Sequence, residues 1–547
     1  MTHSISMTGN FRVPYPQNQP ERSFAPGSPE AESVRKLIRQ MSSSTKDLAH
    51  YIGGEWVTEG ETQPLVAPHH HETVLANLPY ATEQTVIKAI DAALRVQDSW
   101  ARTPWWDRIA IFLKAAELAS GKYADELVAA TMIGQSKTFH QAEIDAPCEL
   151  ADFFRYNAYN ASQIFEDQPR ALEGKGTYLD QRPLEGFVLA MTPFNFTAIA
   201  SNLPTTAAMM GNVVVWKPSE KSAYSNDVIM RLLIEAGLPD GVINLVHGDG
   251  QLVSDVAMRH RNFAGLSFTG SSAVFRDLFT KAGQHMHTYR SFPRLVGETG
   301  GKNAVVVHPT ADLDAVHAAL IRGAFEFQGQ KCSAASRAYV PKSLWLELKD
   351  RLVATTKSLK VGNPAEHDTF VTAVIDEKAA QRMRETFEKA KQLDSHTLLV
   401  GGSVDTSQGW FVEPTIFETT DPKAFTMEQE FFGPMVVVYP YDDDQWSETL
   451  GLVDSTSNYA LTLSVFSRDR AAIRESLDTL RNAAGMMYIN EKPTGAMMGQ
   501  VNFGGGRGSG TNDKTGSRLS LQRWLSGRFI QETYTPATDW TYAYMGC

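Results

Sequence analysis

Between Gly186 and Thr269 the chain alternates short apolar runs with a helix-length segment, and few folds accept that rhythm. Gly186–Met191 and Asn212–Trp216 read as strands and Tyr224–Ala236 as a helix stopped by Gly237; Gly241–Val246 and Gly265–Thr269 read as two more strands. This alternation predicts a doubly wound parallel sheet of the α/β class. A second α/β stretch opens at Asn303–Val307, passes through Val436–Tyr439 and closes at Met486–Asn490. Apolar residues at helical spacing between Thr82 and Tyr159, among them Val86, Ile90 and Leu94, predict helices covering one sheet face. At 547 residues the chain exceeds one ordinary core and implies two or three domains.

Residues 1–44 carry Pro14, Pro16, Pro20, Pro26 and Pro29 and predict an extended arm ending in a helix through Val34–Met41. A net charge of −11 argues against a general nucleic-acid binder, which needs a basic surface. No apolar run reaches membrane-spanning length. The three cysteines, Cys148, Cys332 and Cys547, form neither a disulfide framework nor a metal-ligand spacing, which favours a reducing compartment. With Glu21, Glu30 and Glu32 in the arm fitting poorly with a mitochondrial presequence, the expected location is cytoplasmic.

Chemistry concentrates at two runs. Cys332 lies in Phe325-Glu-Phe-Gln-Gly-Gln-Lys331-Cys332-Ser333 and reads as a nucleophile on an exposed turn, its pKa lowered by nearby positive charge. Upstream, Glu298-Thr-Gly-Gly-Lys302 offers a carboxylate beside two glycines, able to approach a reacting centre closely as a general base. Taken alone, either residue is more often a buried thiol or a solvated acid.

A cofactor site is weaker by itself. No Gly-x-Gly-x-x-Gly falls at an early strand-to-helix turn, but Gly270-Ser271 follows a strand and opens a helix near Ser272, where free N–H groups suit a pyrophosphate. Lys217-Pro-Ser219-Glu220 follows another strand, where ribose hydroxyls lie in such sheets. Glu220 would repel the extra phosphate of NADP and so favours NAD, although Lys217 pulls the other way. An ordinary N-cap and a surface ion pair are the plainer alternatives.

Both chemical runs resemble signatures of the aldehyde dehydrogenase superfamily, Glu-x-Gly-Gly-Lys and Gly-Gln-x-Cys. Thr192-Pro-Phe-Asn195-Phe and Glu430-Phe-Phe-Gly-Pro434 also match, in the family's order. The resemblance runs from about residue 50 to about 530. It implies a Rossmann-type NAD domain (residues 45–165 and 185–297) and an α/β catalytic domain (298–517). A β-flap and C-terminal tail (166–184 and 518–547) would serve oligomerisation, in a homodimer or an assembly of dimers. It implies Cys332 as nucleophile, Glu298 as the base that releases the acid, and Asn195 as an oxyanion donor. Ser271 would contact the pyrophosphate and Glu430 the nicotinamide ribose, with Phe432 in the same cofactor site.

Within the superfamily, Phe194–Ile199, Gln330–Ser333, Phe503–Arg507, Ser509–Lys514 and Trp540–Met545 resemble the L-glutamate γ-semialdehyde dehydrogenase branch. That resemblance implies a small-molecule substrate sandwiched by Phe196 and Phe503, with Lys331 in the same pocket. Its carboxylate would meet Ser333 and N–H groups near Gly495, and its ammonium Glu149. It also names a proline dehydrogenase as a candidate partner. The branch usually has Gly-Ser where this chain has Gly495-Ala496, so one hydroxyl is missing and weaker substrate binding is expected. Two alternatives stand: a dehydrogenase of another semialdehyde, such as succinate semialdehyde, and a catalytically idle fold.

Overall fold

The computed structural model describes residues 11–546; part of the expected arm (residues 1–10) and Cys547 lie outside the described residues. Two seven-stranded sheets organise the chain. The first holds β1 (His50–Ile52), β2 (Glu55–Val57), β3 (Phe187–Thr192), β4 (Val213–Pro218), β5 (Ile243–Leu245), β6 (Phe263–Thr269) and β7 (Arg294–Glu298), in the order β7-β6-β3-β4-β5-β1-β2. Strands β3 to β7 run parallel, as the alternation predicts, and β1 and β2 add antiparallel pairs at one edge. Every residue of β3 and β4 is buried, because helices cover both faces of a parallel sheet.

The second sheet holds β8 (Asn303–Val307), β9 (Ala335–Pro341), β10 (His396–Val400), β11 (Thr415–Thr419), β12 (Met435–Tyr441), β13 (Thr462–Phe466) and β14 (Met486–Ile489), in the order β10-β11-β12-β9-β8-β13-β14. Only β10 is antiparallel to its neighbour. The link between the sheets is Thr299–Lys302. Glu298, the last residue of β7, still pairs with Thr269 in the first sheet, and Asn303 opens the second.

This connectivity positions the site. Thr192, Pro218, Thr269 and Glu298 end their strands, so the loops after them gather at the carboxyl edge of the first sheet, where ligands bind in open α/β sheets. Cys332 and Glu430 come just before β9 and β12, and Gly495 just after β14.

The helices expected between Thr82 and Tyr159 are Glu83–Arg102, Trp105–Ser120, Ala124–Gln135 and Leu150–Glu166, with Thr82 capping the first in a reciprocal bond with Thr85. A π-helical turn, Ile144–Glu149, precedes the last. The arm has no regular structure over residues 11–25 but is not free: Phe24 is buried and Arg22 pairs with Glu143 at 2.8 Å. Strands Lys175–Pro183 and Leu525–Thr533 form a separate antiparallel ribbon that exposes Tyr178, Phe529 and Ile530. Among the described residues no helix is long and apolar enough to cross a membrane.

Candidate active site

Cys332 is buried, in a small apolar cluster with Leu461 and Met486, against Phe432, Ala496 and Phe503. This corrects the expectation of an exposed thiol activated by positive charge. Burial pushes the thiol above its usual range, and the Glu430 and Glu298 carboxylates add to the effect. The adjacent Lys331 does not help, because its ammonium turns to Glu326 at 3.1 Å.

The backbone before the nucleophile is held in an unusual shape. Phe327 and Gln328 take left-handed φ values of 50° and 55°, followed by Gly329 at 64°. Such residues cost about 1–3 kcal/mol each and persist only where neighbours over-determine them. Here Gln328 donates to the Ala373 carbonyl at 2.8 Å and accepts the Thr372 N–H at 3.0 Å, while Gln330 accepts the Ile375 N–H at 2.9 Å. Asn195 donates its amide to the Gln330 carbonyl at 3.1 Å, tying its own loop to that of Cys332. An amide nitrogen carries two protons, so a second donor remains on Asn195.

Glu298 is buried, and among the described residues neither carboxylate oxygen meets a donor at hydrogen-bonding geometry. Burial, helped by the Asp513 charge, holds its pKa well above the usual value, against the pull of Lys514 and of the Gly505 N–H, which lies near without reaching hydrogen-bonding geometry. The glycines of its motif have distinct uses. A Cβ on Gly300 would collide with the Glu430 carboxylate, and one on Gly301 with the Cys332 carbonyl. Gly301 also donates its N–H to Glu430 at 2.8 Å. Burial raises the Glu430 pKa to about 7, against the pull of Gly301, Lys302 and Arg382. Burial also lowers Lys302, to about 7.

Asn303 is a residue the sequence reading missed. Its amide donates to the carbonyls of Cys332 and Ala334 at 2.7 and 2.8 Å, fixing the nucleophile's backbone to the start of β8. The available signal was an amide side chain directly after Gly-Gly-Lys at a strand start.

The residues expected at the cofactor site gather at the carboxyl edge of the first sheet. Lys217 pairs with Glu220 at 3.1 Å. Burial opposes ionisation of Glu220, but Lys217, its own backbone N–H and Lys221 together outweigh it and the pKa falls below the usual value. Ser219 caps the short turn after β4. Gly270 donates its N–H to the Glu298 carbonyl at 3.2 Å, and Ser271 caps the helix Ser272–Gln284 through the Val274 N–H at 3.3 Å. Phe432 adopts a left-handed φ of 55° and meets the Phe194 ring at 5.9 Å.

Among the residues expected to hold the substrate, Ala496 and Phe503 pack beside Cys332. Ser333 shares a hydrogen bond with Thr494 at 2.8 Å, and Gly495 takes a φ of 95° that favours glycine. Phe196 is not part of that cluster; its ring lies under the Lys137 ammonium. Glu149 ends the π-helical turn and is not a surface acid: burial raises its pKa to about 8, Asp145 adds to this, and Lys137 and Lys331 oppose it.

A buried thiol, an unpartnered carboxylate beside it and an amide donor tied to its loop define a site for covalent acyl chemistry. The aldehyde dehydrogenase family profile matches residues 56–530, and the chain belongs to that family. It is 44% identical over 544 residues to the mitochondrial Δ1-pyrroline-5-carboxylate dehydrogenase of Dictyostelium discoideum, covering 99% of this chain and 98% of that one. It is 45% identical over 529 residues to the mitochondrial enzyme of that name from Homo sapiens, covering 96% and 94%. The crystal structure of the Mycobacterium tuberculosis Δ-pyrroline-5-carboxylate dehydrogenase bound with NAD superposes with a TM-score of 0.96 at 46% identity, covering 99% of this chain and 100% of that one.

Proposed function

We propose that this chain is an NAD-dependent dehydrogenase that oxidises L-glutamate γ-semialdehyde, the open form of Δ1-pyrroline-5-carboxylate, to L-glutamate in proline catabolism. The substrate rests on likeness along nearly the whole chain to relatives of that name. The reaction type rests on one observation above all, the buried Glu298 carboxylate without a partner beside the buried Cys332.

The residues fit NAD. Lys217, Ser219 and Glu220 offer donors and an ionised acceptor to ribose hydroxyls, and the N–H groups at Gly270–Ser271 suit a pyrophosphate. Glu430 and Phe432 would hold the nicotinamide-ribose end of the cofactor. NAD, when bound, supplies the acceptor for the hydride that leaves the substrate carbon.

The Cys332 sulfur, as thiolate, bonds to the aldehyde carbon. The carbonyl oxygen takes the negative charge and is met by the Asn195 side-chain amide and the Cys332 N–H, donors worth about 3 kcal/mol apiece in a dry site. When the C=O bond re-forms and the hydride departs, Cys332 carries a thioester. Glu298 then takes a proton from water, whose oxygen bonds to the thioester carbon. The C–S bond breaks, giving the acid and the free thiolate.

Glu149 takes the substrate ammonium. Ser333 and the backbone at Gly495–Ala496 take its carboxylate, Phe196 and Phe503 flank its methylenes, and Lys331 balances Glu149. Residues 45–165 and 185–297 form the cofactor unit and 298–517 the catalytic unit. The ribbon and the exposed tail aromatics Tyr534, Trp540, Tyr542 and Tyr544 suit contacts in a homodimer or an assembly of dimers. A proline dehydrogenase is the partner whose product this enzyme consumes. The free Cys148 and Cys332 suit a reducing compartment, and Glu21, Glu30 and Glu32 favour the cytoplasm; cell fractionation tests that location against the mitochondrial one in the relatives' names.

The test is NADH formation from racemic pyrroline-5-carboxylate, with succinate semialdehyde and propionaldehyde alongside. A kcat/KM on pyrroline-5-carboxylate at least tenfold above the others supports the assignment. A higher value on succinate semialdehyde overturns the reading of Glu149 and Gly495.

A further inference from the structure

Lys137 and Asp145 form an ion pair at 2.7 Å with both side chains fully buried. Neither touches the reacting groups, and burying two charges is costly unless every bond they make is well placed. The pair meets that condition through its neighbours. Asp145 lies in the π-helical turn Ile144–Glu149, an element that recurs at functional sites. Its carboxylate accepts the Thr197 and Ala198 N–H groups at 2.9 Å each. Those are the first donors of the helix Thr197–Met209, whose own N-cap, Phe196, supplies no side-chain bond.

The Lys137 ammonium lies over two rings, 4.1 Å from the centre of Phe196 and 4.4 Å from that of Phe327. A desolvated cation against aromatic faces is a strong contact. The two rings belong to different loops. Phe196 follows Asn195, and Phe327 is the first left-handed residue of the turn that leads to Cys332. The only other direct side-chain tie between those loops described above is the 3.1 Å bond from Asn195 to the Gln330 carbonyl.

We propose that Lys137 is a positioning residue: anchored by Asp145, its ammonium clamps the rings of Phe196 and Phe327 and so holds Asn195 in register with Cys332. This rests on the roles proposed above for those two residues. It assigns Lys137 no contact with the aldehyde or the cofactor. A displacement of about 1 Å between nucleophile and oxyanion donor is enough to cost on the order of 100-fold in rate.

The experiment compares wild type, Lys137→Met, Asn195→Ala and the double variant in the full-length protein. Two reactions are read per folded enzyme: pyrroline-5-carboxylate oxidation and hydrolysis of p-nitrophenyl acetate, which uses Cys332 without hydride transfer. Cys332→Ala serves as control, and loss of ester hydrolysis in it separates a failure of the clamp from a failure of the nucleophile assignment. For Lys137→Met, kcat should fall on the order of 100-fold in both reactions, with the NAD dissociation constant within twofold of wild type. In the Asn195→Ala background the same substitution should cost less than about fivefold, because the two residues act through one contact. A purely structural Lys137 would lower the melting temperature and leave kcat per folded enzyme unchanged; that result, or full additivity with Asn195→Ala, overturns the proposal. If Lys137→Met does not fold, Phe327→Leu keeps the ion pair and removes one ring face. It should lower kcat in both reactions, and an unchanged kcat contradicts the clamp.

Discussion

Glu430 and Cys332 meet across Gly301, whose N–H donates to the Glu430 carboxylate at 2.8 Å and whose α-carbon leaves no room for a Cβ beside the Cys332 carbonyl; the Glu430 charge adds to burial in pushing the thiol above its usual range. Glu430→Gln removes the charge. Iodoacetamide should then alkylate the cofactor-free enzyme roughly 3- to 10-fold faster at pH 8.5, because more of the thiol is ionised. The gain should shrink below pH 7, where Glu430, with its pKa raised to about 7, is already protonated. An unchanged or slower rate at pH 8.5 would show that Glu430 does not govern the thiol.

Glu298→Gln should leave the first turnover of NADH formation and cut the steady-state rate on the order of 10²- to 10⁴-fold, the usual contribution of a general base. Stability should move the other way. The folded-state pKa of Glu298 is raised, so its stabilising contribution is complete below the ordinary carboxylate range and is lost as pH climbs through the folded value. The glutamine variant should therefore melt above wild type, by more at pH 8.5 than at pH 5. A lower melting temperature at pH 8.5 would mean the carboxylate has a partner in solution.

Asn195→Ala should lower kcat on the order of 10²- to 10³-fold, the cost of one oxyanion donor. The NAD dissociation constant should stay within about twofold, since that side chain binds the Gln330 carbonyl and not the cofactor loops. Equal losses in kcat and NAD affinity would point instead to collapse of the loop.

Ala496→Ser restores a hydroxyl beside Cys332 and Phe503. One added hydrogen bond to the substrate carboxylate is worth about 1 kcal/mol, so KM for pyrroline-5-carboxylate should fall on the order of fivefold with kcat little changed. KM for propionaldehyde, which has no carboxylate, should not follow. A parallel fall for both substrates would place Ala496 away from the carboxylate.

The parallel sheets were legible because each strand is a compact apolar run between turn signals; Val213–Pro218 and Asn303–Val307 fall within a residue or two of their expected places. The edge strands His50–Ile52 and Glu55–Val57 were not: both are short, and the pair of them joins the sheet only through His50–Ile52 against Ile243–Leu245, far along the chain. The environment of Cys332 was misread because sequence neighbours do not report side-chain direction. Lys331 turns away to Glu326, while Glu430, far along the chain, arrives through the space left by Gly300. Asp145 gave no signal for the same reason: its partners are backbone groups of a helix that begins after Phe196.

The most direct measurement is the intact mass of Glu298→Gln after mixing with pyrroline-5-carboxylate and NAD, followed by peptide mapping. A γ-glutamyl thioester on the peptide containing Cys332, absent without NAD and absent in Cys332→Ala, is the expected result. Turnover to glutamate with no adduct on Cys332, or an adduct on Cys148 alone, would contradict covalent catalysis at this site.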